Sequence, residues 1–346
     1  MKQTLTYLRW PFVFTALGLV LAFWLGFQTT GTLAGAISFF LIGSILAVLE
    51  ISLSFDNAIV NANILKTMEP KWQQRFLTWG ILIAVFGMRI IFPLVVVVFA
   101  AHMGPISAIV LAATDPQEYA RIMDEAHIGI SAFGGTFLMM VALTYFIDQS
   151  KEVDWIKSIE RRLRSLASIR GLEIGAVLFA ALVIASVLPE HESPTFLFAA
   201  VCGLVTFLAV ELIAHFLDAE KEVQTAAAKG GFGAFLYLEV LDASFSFDGV
   251  IGAFALTQNL FLIAIGLSIG AFYVRSMTIM LVERKTLSEF RYLEHGAFYS
   301  VLALSVIMYV QSLWHIPELI TGLIGAALIG LSLFSSMRYN KTEQET

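Results

Sequence analysis

The sequence predicts an all-α polytopic membrane protein of about ten transmembrane helices in two inverted-topology repeats. Three observations carry this. Of 346 residues, 58% are apolar and only 14% charged, with a mean hydropathy of +0.81, outside the range of soluble domains. The apolar runs are about 20 residues long, the length of a helix across a hydrocarbon core and twice that of a barrel strand. An intensely polar heptapeptide also occurs twice within apolar sequence, as Glu50-Ile-Ser-Leu-Ser-Phe-Asp56 and as Asp242-Ala-Ser-Phe-Ser-Phe-Asp248.

In chain order, Lys2 and Arg9 precede an apolar stretch at 10–27 that superficially resembles a signal peptide. It is long and lacks a clear cleavage site, so it reads as a retained helix at 11–29. The second span, 33–65, would reach roughly 48 Å as one helix against a core of about 30 Å, with Glu50 near its middle. The third, 76–101, follows the charged turn from Lys66 to Arg75 and holds Arg89 near its centre. A long loop, 101–127, leads to the fourth span at 128–147. The basic segment 148–171 separates this from the fifth at 172–188, and the turn Pro-Glu-His-Glu-Ser-Pro leads to the sixth at 195–217. The seventh, 232–256, is centred close to Asp242 and Ser244. Spans at 260–282, which includes Arg275, 295–313 and 317–337 complete the set.

Charge orients these spans. Of the 21 Lys and Arg residues, 18 fall at the termini and on the connections that share their side, including Lys151, Lys157, Arg161, Arg162, Arg164 and Arg170 in one loop. The opposite side holds Arg121 against Asp115, Glu118, Asp124, Glu125, Glu190, Glu192 and Glu318. The positive-inside rule then places both termini in the cytoplasm of a cell (inner or plasma) membrane. The acidic opposite face would attract cations, although acidic loops are commonly just solvated.

A shift of 192 residues places Glu50 on Asp242, Ser52 on Ser244, Ser54 on Ser246, Phe55 on Phe247 and Asp56 on Asp248. After a shorter loop the register resumes at a shift of 186, with Gly80 on Gly266 and Arg89 on Arg275. The motifs lie five spans apart, and an odd number of crossings reverses direction. The chain therefore reads as a single transmembrane domain, 1–346, with pseudo-repeats at about 10–190 and 195–340, the arrangement in which transporters build a site at the repeat interface.

The polar residues of each motif alternate, at Glu50, Ser52, Ser54 and Asp56 and at Asp242, Ser244, Ser246 and Asp248. That is the period of extended chain, and unwound backbone at membrane depth coordinates cations in many transporters. A helical reading stays open, because Glu50, Ser54, Asn57 and Asn61 also form one helical stripe and Glu239 lies three residues before Asp242. Either geometry offers Glu50, Asp56, Glu239, Asp242 and Asp248, the amide of Asn57 and four serine hydroxyls. Such hard oxygen ligands suit Mn²⁺, Ca²⁺ or Mg²⁺. The competing reading is a packed polar seam in which serines bond backbone carbonyls and the acids pair with Arg89 and Arg275. Five buried acids against two arginines leave a deficit of positive charge that bound cations or protons would make up. The arginines are either structural counter-ions or competitors that pair with the acids once the cation has left.

Other classes are disfavoured. Cys202 is the sole cysteine, which rules out an intrachain disulfide and a thiolate metal cluster. A formal net charge of −6 does not suggest a nucleic-acid partner. No phosphate loop, nucleophile elbow or HExxH motif occurs, which argues against ATP-driven transport and against those hydrolase classes. Paired aspartates serve intramembrane proteases too, but the two motifs lack a catalytic asymmetry, so no enzyme activity and no prosthetic group is expected. His127 and His295 begin the fourth and ninth spans and read as gating groups, proton relays or caps; His191 reads as solvated.

The two acidic segments, Glu50 through Asn57-Ala and Glu239-Val-Leu-Asp242 through Asp248-Gly, resemble the signature of TerC-like integral membrane proteins of the LysE-type exporter superfamily. The likeness runs over about 46–310 and includes Phe-Arg-Tyr-Leu-Glu-His-Gly at 290–296. The first and last spans and the loop 101–127 depart from the familiar members, as in a divergent branch. The resemblance implies metal export, particularly of Mn²⁺, with Glu50, Asp56, Asn57, Glu239, Asp242 and Asp248 as site ligands; the residues themselves add Ser52, Ser54, Ser244, Ser246, Arg89 and Arg275 in support. The expected function is thus a secondary transporter exporting a divalent cation by alternating access, with protons as a coupling ion the carboxylates would admit. The alternatives are export of an organic cation or amino acid, and a non-transporting component of a metal- or tellurium-resistance complex. Oligomeric state leaves no trace in the sequence.

Overall fold

In the computed structural model the described residues are 2–80, 83, 87, 90–148, 151, 153–165, 169, 171–219, 231–283, 289–314 and 316–345; side chains are not described at 2–6, 52–53, 92, 99–100, 214–219, 246–248, 251–252, 254–255, 318–319 and 342–345. They are helical almost throughout, with no strand among them. Among the described residues seven helices are long and apolar enough to cross a membrane.

The first is α1, Lys2–Thr30, which turns at Gly31 (φ +66) into α2, Leu33–Leu53. Thr32 caps α2 by accepting from the Gly35 N–H at 3.1 Å, satisfying one orphan donor of its first turn. The predicted second span continues past a break at Ser54 into α3, Phe55–Leu65. The predicted third span is not one regular helix. It starts as a π-helical turn at Phe76–Gly80, directly after α4, Pro70–Arg75, in the charged turn, and ends in α5, Phe92–Ala100. Arg89 lies outside the described residues.

The loop 101–127 is folded, as α6, Pro105–Thr114, and α7, Pro116–Glu125. Tyr119, Ile122 and Met123 bury one stripe of α7, and Asp115 caps it by accepting from the Glu118 N–H. Next come α8, His127–Ile147, and α9, Lys157–Ser165, a short helix within the basic segment. They are followed by α10, Leu172–Val187, α11, Ser193–Ala219, α12, Phe232–Leu256, and α13, Leu260–Glu283. We label Leu293–Gln311 α14 and Glu318–Glu345 α15.

Of the ten predicted spans, α10 is short at 16 residues. Helix α12 has the length but carries Glu239, Asp242 and Asp248.

Burial sorts the helices. The middle of the bundle is α8, packed against α11, α12 and α14, with α13 and α14 also largely enclosed. Its Thr136 hydroxyl lies 2.6 Å from the Tyr309 hydroxyl of α14. By contrast, α1, α11 and α15 expose Trp10, Leu17, Trp24, Phe198, Val205, Leu323 and Phe334. Apolar surface on that scale belongs against lipid. Helix α1 packs on α2 and α13, where Phe14 and Phe272 stack with centroids 3.7 Å apart.

Candidate cation site

The first motif is helical with a joint in it, and the second is helix throughout. Ser54 takes φ −99 and ψ 15, and its N–H still bonds the Glu50 carbonyl, so the helix is interrupted between α2 and α3 without unwinding. Helix α12 runs through Asp242, where the Ser244 hydroxyl donates to the Val240 carbonyl at 3.0 Å. The fully extended geometry is therefore not adopted, because helical backbone bonds are retained where lipid offers no replacement. Instead Glu50, Ser54, Asn57 and Asn61 form the helical stripe, and all four are buried.

That stripe borders a cavity of about 30 Å³. Glu50, Ser54, Asp56 and Asn57 line it from the first motif, Phe245 and Gly249 from the second, Ser300 from α14 and Thr321 from α15. Ser54 donates to Glu50 Oε1 at 3.2 Å, which fixes one carboxylate oxygen. Asp56 sits in the first turn of α3, where a negative charge meets the positive end of the helix dipole. Its Oδ1 accepts from the Asn57 N–H at 2.9 Å and its Oδ2 from the Ser300 hydroxyl at 2.7 Å. Asn57 Oδ1 and Thr321 Oγ1 are buried and have no hydrogen-bond partner among the described residues. Among the described residues no basic side chain lines this cavity.

Close approach of neighbouring helices creates the enclosure. A Cβ on Gly249 of α12 would lie 2.8 Å from Glu50 Oε2, and one on Gly270 of α13 would run into the Glu50 side chain. Gly266, one turn earlier on α13, abuts Leu46 in the same way. Small residues four apart let two helices touch backbone to backbone.

Glu239 and Asp242 are brought elsewhere, to a second polar centre. Asn61 Nδ2 donates to Asp242 Oδ1 at 2.6 Å, tying α3 to α12. Arg275 of α13 is buried in the electrostatic reach of Asp242 and Glu239, with its guanidinium 5.1 Å from the Phe76 ring. Its Nε and Nη2, like Glu239 Oε1 and Asn61 Oδ1, find no hydrogen-bond partner among the described residues. Gly80 admits this centre, since a Cβ there would lie 2.9 Å from Glu239 Oε1.

Among the described residues no group of three His, Cys, Asp or Glu side chains is placed to hold a metal. The single cluster of acids that the sequence suggests is thus divided. Glu50 and Asp56 share a cavity with amide and hydroxyl oxygens, while Glu239 and Asp242 face an arginine. The side chains of Ser52, Ser246 and Asp248 lie outside the described residues.

A family model described as "Protein of unknown function (DUF475)" matches residues 55–343. The chain belongs to this family. No curated protein and no solved structure matches it. The DUF475 match takes in Asp56, Asn57 and the whole second motif, and begins five residues beyond Glu50.

Sequence reasoning missed three participants in this DUF475 protein. Ser300 and Thr321 are single hydroxyls in apolar helices and carry no signal. Glu160, among the arginines of α9, reads as a solvated surface acid, yet it is buried. Its Oε1 accepts from the Trp155 and Ile156 N–H groups at 3.1 and 3.0 Å, and its Oε2 lies 3.1 Å from Lys151 Nζ and 3.4 Å from His295 Nε2. His295 Nε2 is also 2.9 Å from the Val153 carbonyl, which can only accept, so that nitrogen carries a proton. His295 is thereby a docking point for the basic segment. Burial lowers the pKa of Lys151, with Glu160 acting in the opposite direction. Glu294 joins the same end of the bundle by accepting from Asn63 Nδ2 at 2.9 Å and meeting Lys66 at 3.2 Å.

Proposed function

We propose that this chain is a secondary transporter that exports a divalent metal cation, with Mn²⁺ the first substrate to test, by alternating access around the cavity at Glu50 and Asp56. The observation that carries the reading is the lining of that cavity. Two carboxylates, the side chains of Asn57 and Thr321 with oxygens that have no hydrogen-bond partner among the described residues, and the hydroxyl residues Ser54 and Ser300 line a space of about 30 Å³, with no basic side chain among the described residues in its wall. Burying carboxylates costs several kcal/mol apiece unless something positive offsets it. The carboxylate, amide and hydroxyl oxygens, set in a wall that also holds Phe245, Leu304 and Ile307, suit one hard cation, or the proton or water that replaces it. It has no room for an amino acid or organic cation in this conformation. The choice of Mn²⁺ rests on the resemblance to TerC-like exporters.

In this reading the ten spans form two inverted repeats in a cell membrane, with both termini cytoplasmic. Reciprocal packing supports it. Gly266 and Gly270 of the second half press on Leu46 and Glu50 of the first, and Gly80, the repeat mate of Gly266, presses on Glu239 of the second. Arg275 and the acids beside it form the counterpart centre, which exchanges charge with the cation site as the halves rock. A non-transporting role in a resistance complex would leave the unpartnered acceptors of the cavity without purpose.

Metal accumulation in cells carrying wild type, Glu50→Gln or Asp242→Asn tests the proposal. Both variants should lose Mn²⁺ tolerance and accumulate the metal. Tolerance and metal content equal to wild type in both variants sinks the export reading.

A further inference from the structure

Two glycines on different helices stand in the wall of the central cavity, Gly249 of α12 and Gly325 of α15. A Cβ on Gly249 would lie 2.8 Å from Glu50 Oε2, and one on Gly325 would lie 2.7 Å from Ser300 Oγ and 3.8 Å from Asp56 Oδ2. The atoms they approach are the oxygens of the site itself. Glu50 and Ser300 line the same cavity, and the Ser300 hydroxyl is the one that donates to Asp56 at 2.7 Å.

What an added methyl would strike separates these two positions from glycines that let helices pack. At Gly203 it would meet the Phe133 carbonyl oxygen at 2.4 Å, and at Gly266 the Leu46 Cβ at 2.5 Å, contacts that only a backbone shift relieves. At Gly249 and Gly325 the sole atom within 3.4 Å is the far end of a side chain, which can turn away into another rotamer. Helix packing therefore does not demand glycine at these positions. The placement of the site oxygens does.

The space left beside those oxygens is small. A water needs about 10–15 Å³ of such space, so a cavity of about 30 Å³ admits about two. A divalent cation cannot keep a shell of six waters there and must enter largely bare. Mg²⁺ gives up its waters reluctantly and demands oxygens at about 2.0–2.1 Å in a near-ideal octahedron, whereas Ca²⁺ accepts a flexible geometry at about 2.3–2.6 Å. Mn²⁺ lies between them in size.

We propose that Gly249 and Gly325 are specificity determinants of the central site: they keep it wide enough for bare cations from Mn²⁺ to Ca²⁺, while its small volume turns away hydrated Mg²⁺. The inference rests on the reading of this cavity as the cation site. Both glycines are positioning residues that act through Glu50 Oε2 and Ser300 Oγ. A methyl at either position takes up space and displaces an oxygen, and the largest cation suffers most.

The test is Mn²⁺ binding to the full chain in lipid nanodiscs, read from the electron paramagnetic resonance signal of free Mn²⁺, with Ca²⁺ or Mg²⁺ as competitor. In wild type Ca²⁺ should displace Mn²⁺ from the class of site that Asp56→Asn abolishes, and Mg²⁺ should need a concentration at least about tenfold higher than Ca²⁺. Gly249→Ala and Gly325→Ala should each weaken Ca²⁺ about tenfold more than Mn²⁺, whereas general damage to the fold would weaken both alike. The wild-type competition needs no glycine variant, so the inference stays testable if either alanine variant fails to fold. Mg²⁺ that competes as well as Ca²⁺, or a ratio of Ca²⁺ to Mn²⁺ affinity unchanged in both glycine variants, overturns the inference while Asp56-dependent binding leaves the cation-site reading standing. Wild type without Asp56-dependent binding of either cation overturns both.

Discussion

Asp56 accepts one hydrogen bond from its own helix and one from Ser300, 244 residues further along the chain. The first holds the carboxylate at the start of α3, and the second aims it into the cavity. A neutral hydrogen bond of this kind contributes about 1 kcal/mol to folding, so Ser300→Ala should fold normally. With the carboxylate free to rotate, its affinity for Mn²⁺ in a binding titration should fall about fivefold to tenfold. Unchanged affinity would mean that Asp56 is not held for the cation.

The sequence makes Glu50, Asp56 and Asn57 readable, because acids in apolar runs are too costly to be incidental. Ser300 and Thr321 are not readable. A hydroxyl in an apolar helix ordinarily bonds its own backbone, as Ser305 does with Leu302 and Ser332 with Ile329, and only tertiary packing turns Ser300 to Asp56.

At the scale of elements, helix identity was legible from apolar run length and helix internal form was not. The strict alternation in the motifs is compatible with an extended segment, yet α12 is continuous and the α2–α3 break is confined to Ser54. Backbone hydrogen bonding, which the pattern of side chains does not report, decides between these forms. The basic segment 148–171 reads as a charged loop because the buried face of α9 centres on Glu160, a residue type that rarely points inward.

Packing of α13 on α2 yields a direct prediction. A Cβ at Gly270 would lie 2.5 Å from that of Glu50, so Gly270→Ala must separate the helices or displace the carboxylate. Overpacking of this kind costs about 1–3 kcal/mol, seen as a lower melting temperature in detergent, and Mn²⁺ affinity should fall with it. Gly330→Ala on α15, where nothing lies within 4 Å, should match wild type in both measurements. Equal effects at the two positions would contradict the proposed contact.

For the molecule as a whole, composition pointed to an all-helical protein with helices able to cross a membrane, and among the described residues seven helices are long and apolar enough to do so. The division of the acids into two centres was beyond the sequence. Equivalent positions in the two motifs, Glu50 and Asp242, meet different neighbours, because α14 and α15 close over the first motif and Arg275 approaches the second. On the proposed reading this inequality is one state of an alternating pair, with cation chemistry at one centre and an internal guanidinium at the other. The claim is tested most directly by Mn²⁺ flux in proteoliposomes carrying wild type or Glu50→Gln with Asp56→Asn. The account predicts flux that saturates with Mn²⁺ in wild type and falls at least about tenfold in the double variant. Wild-type flux no greater than that of empty vesicles, or full flux in a folded double variant, would contradict it.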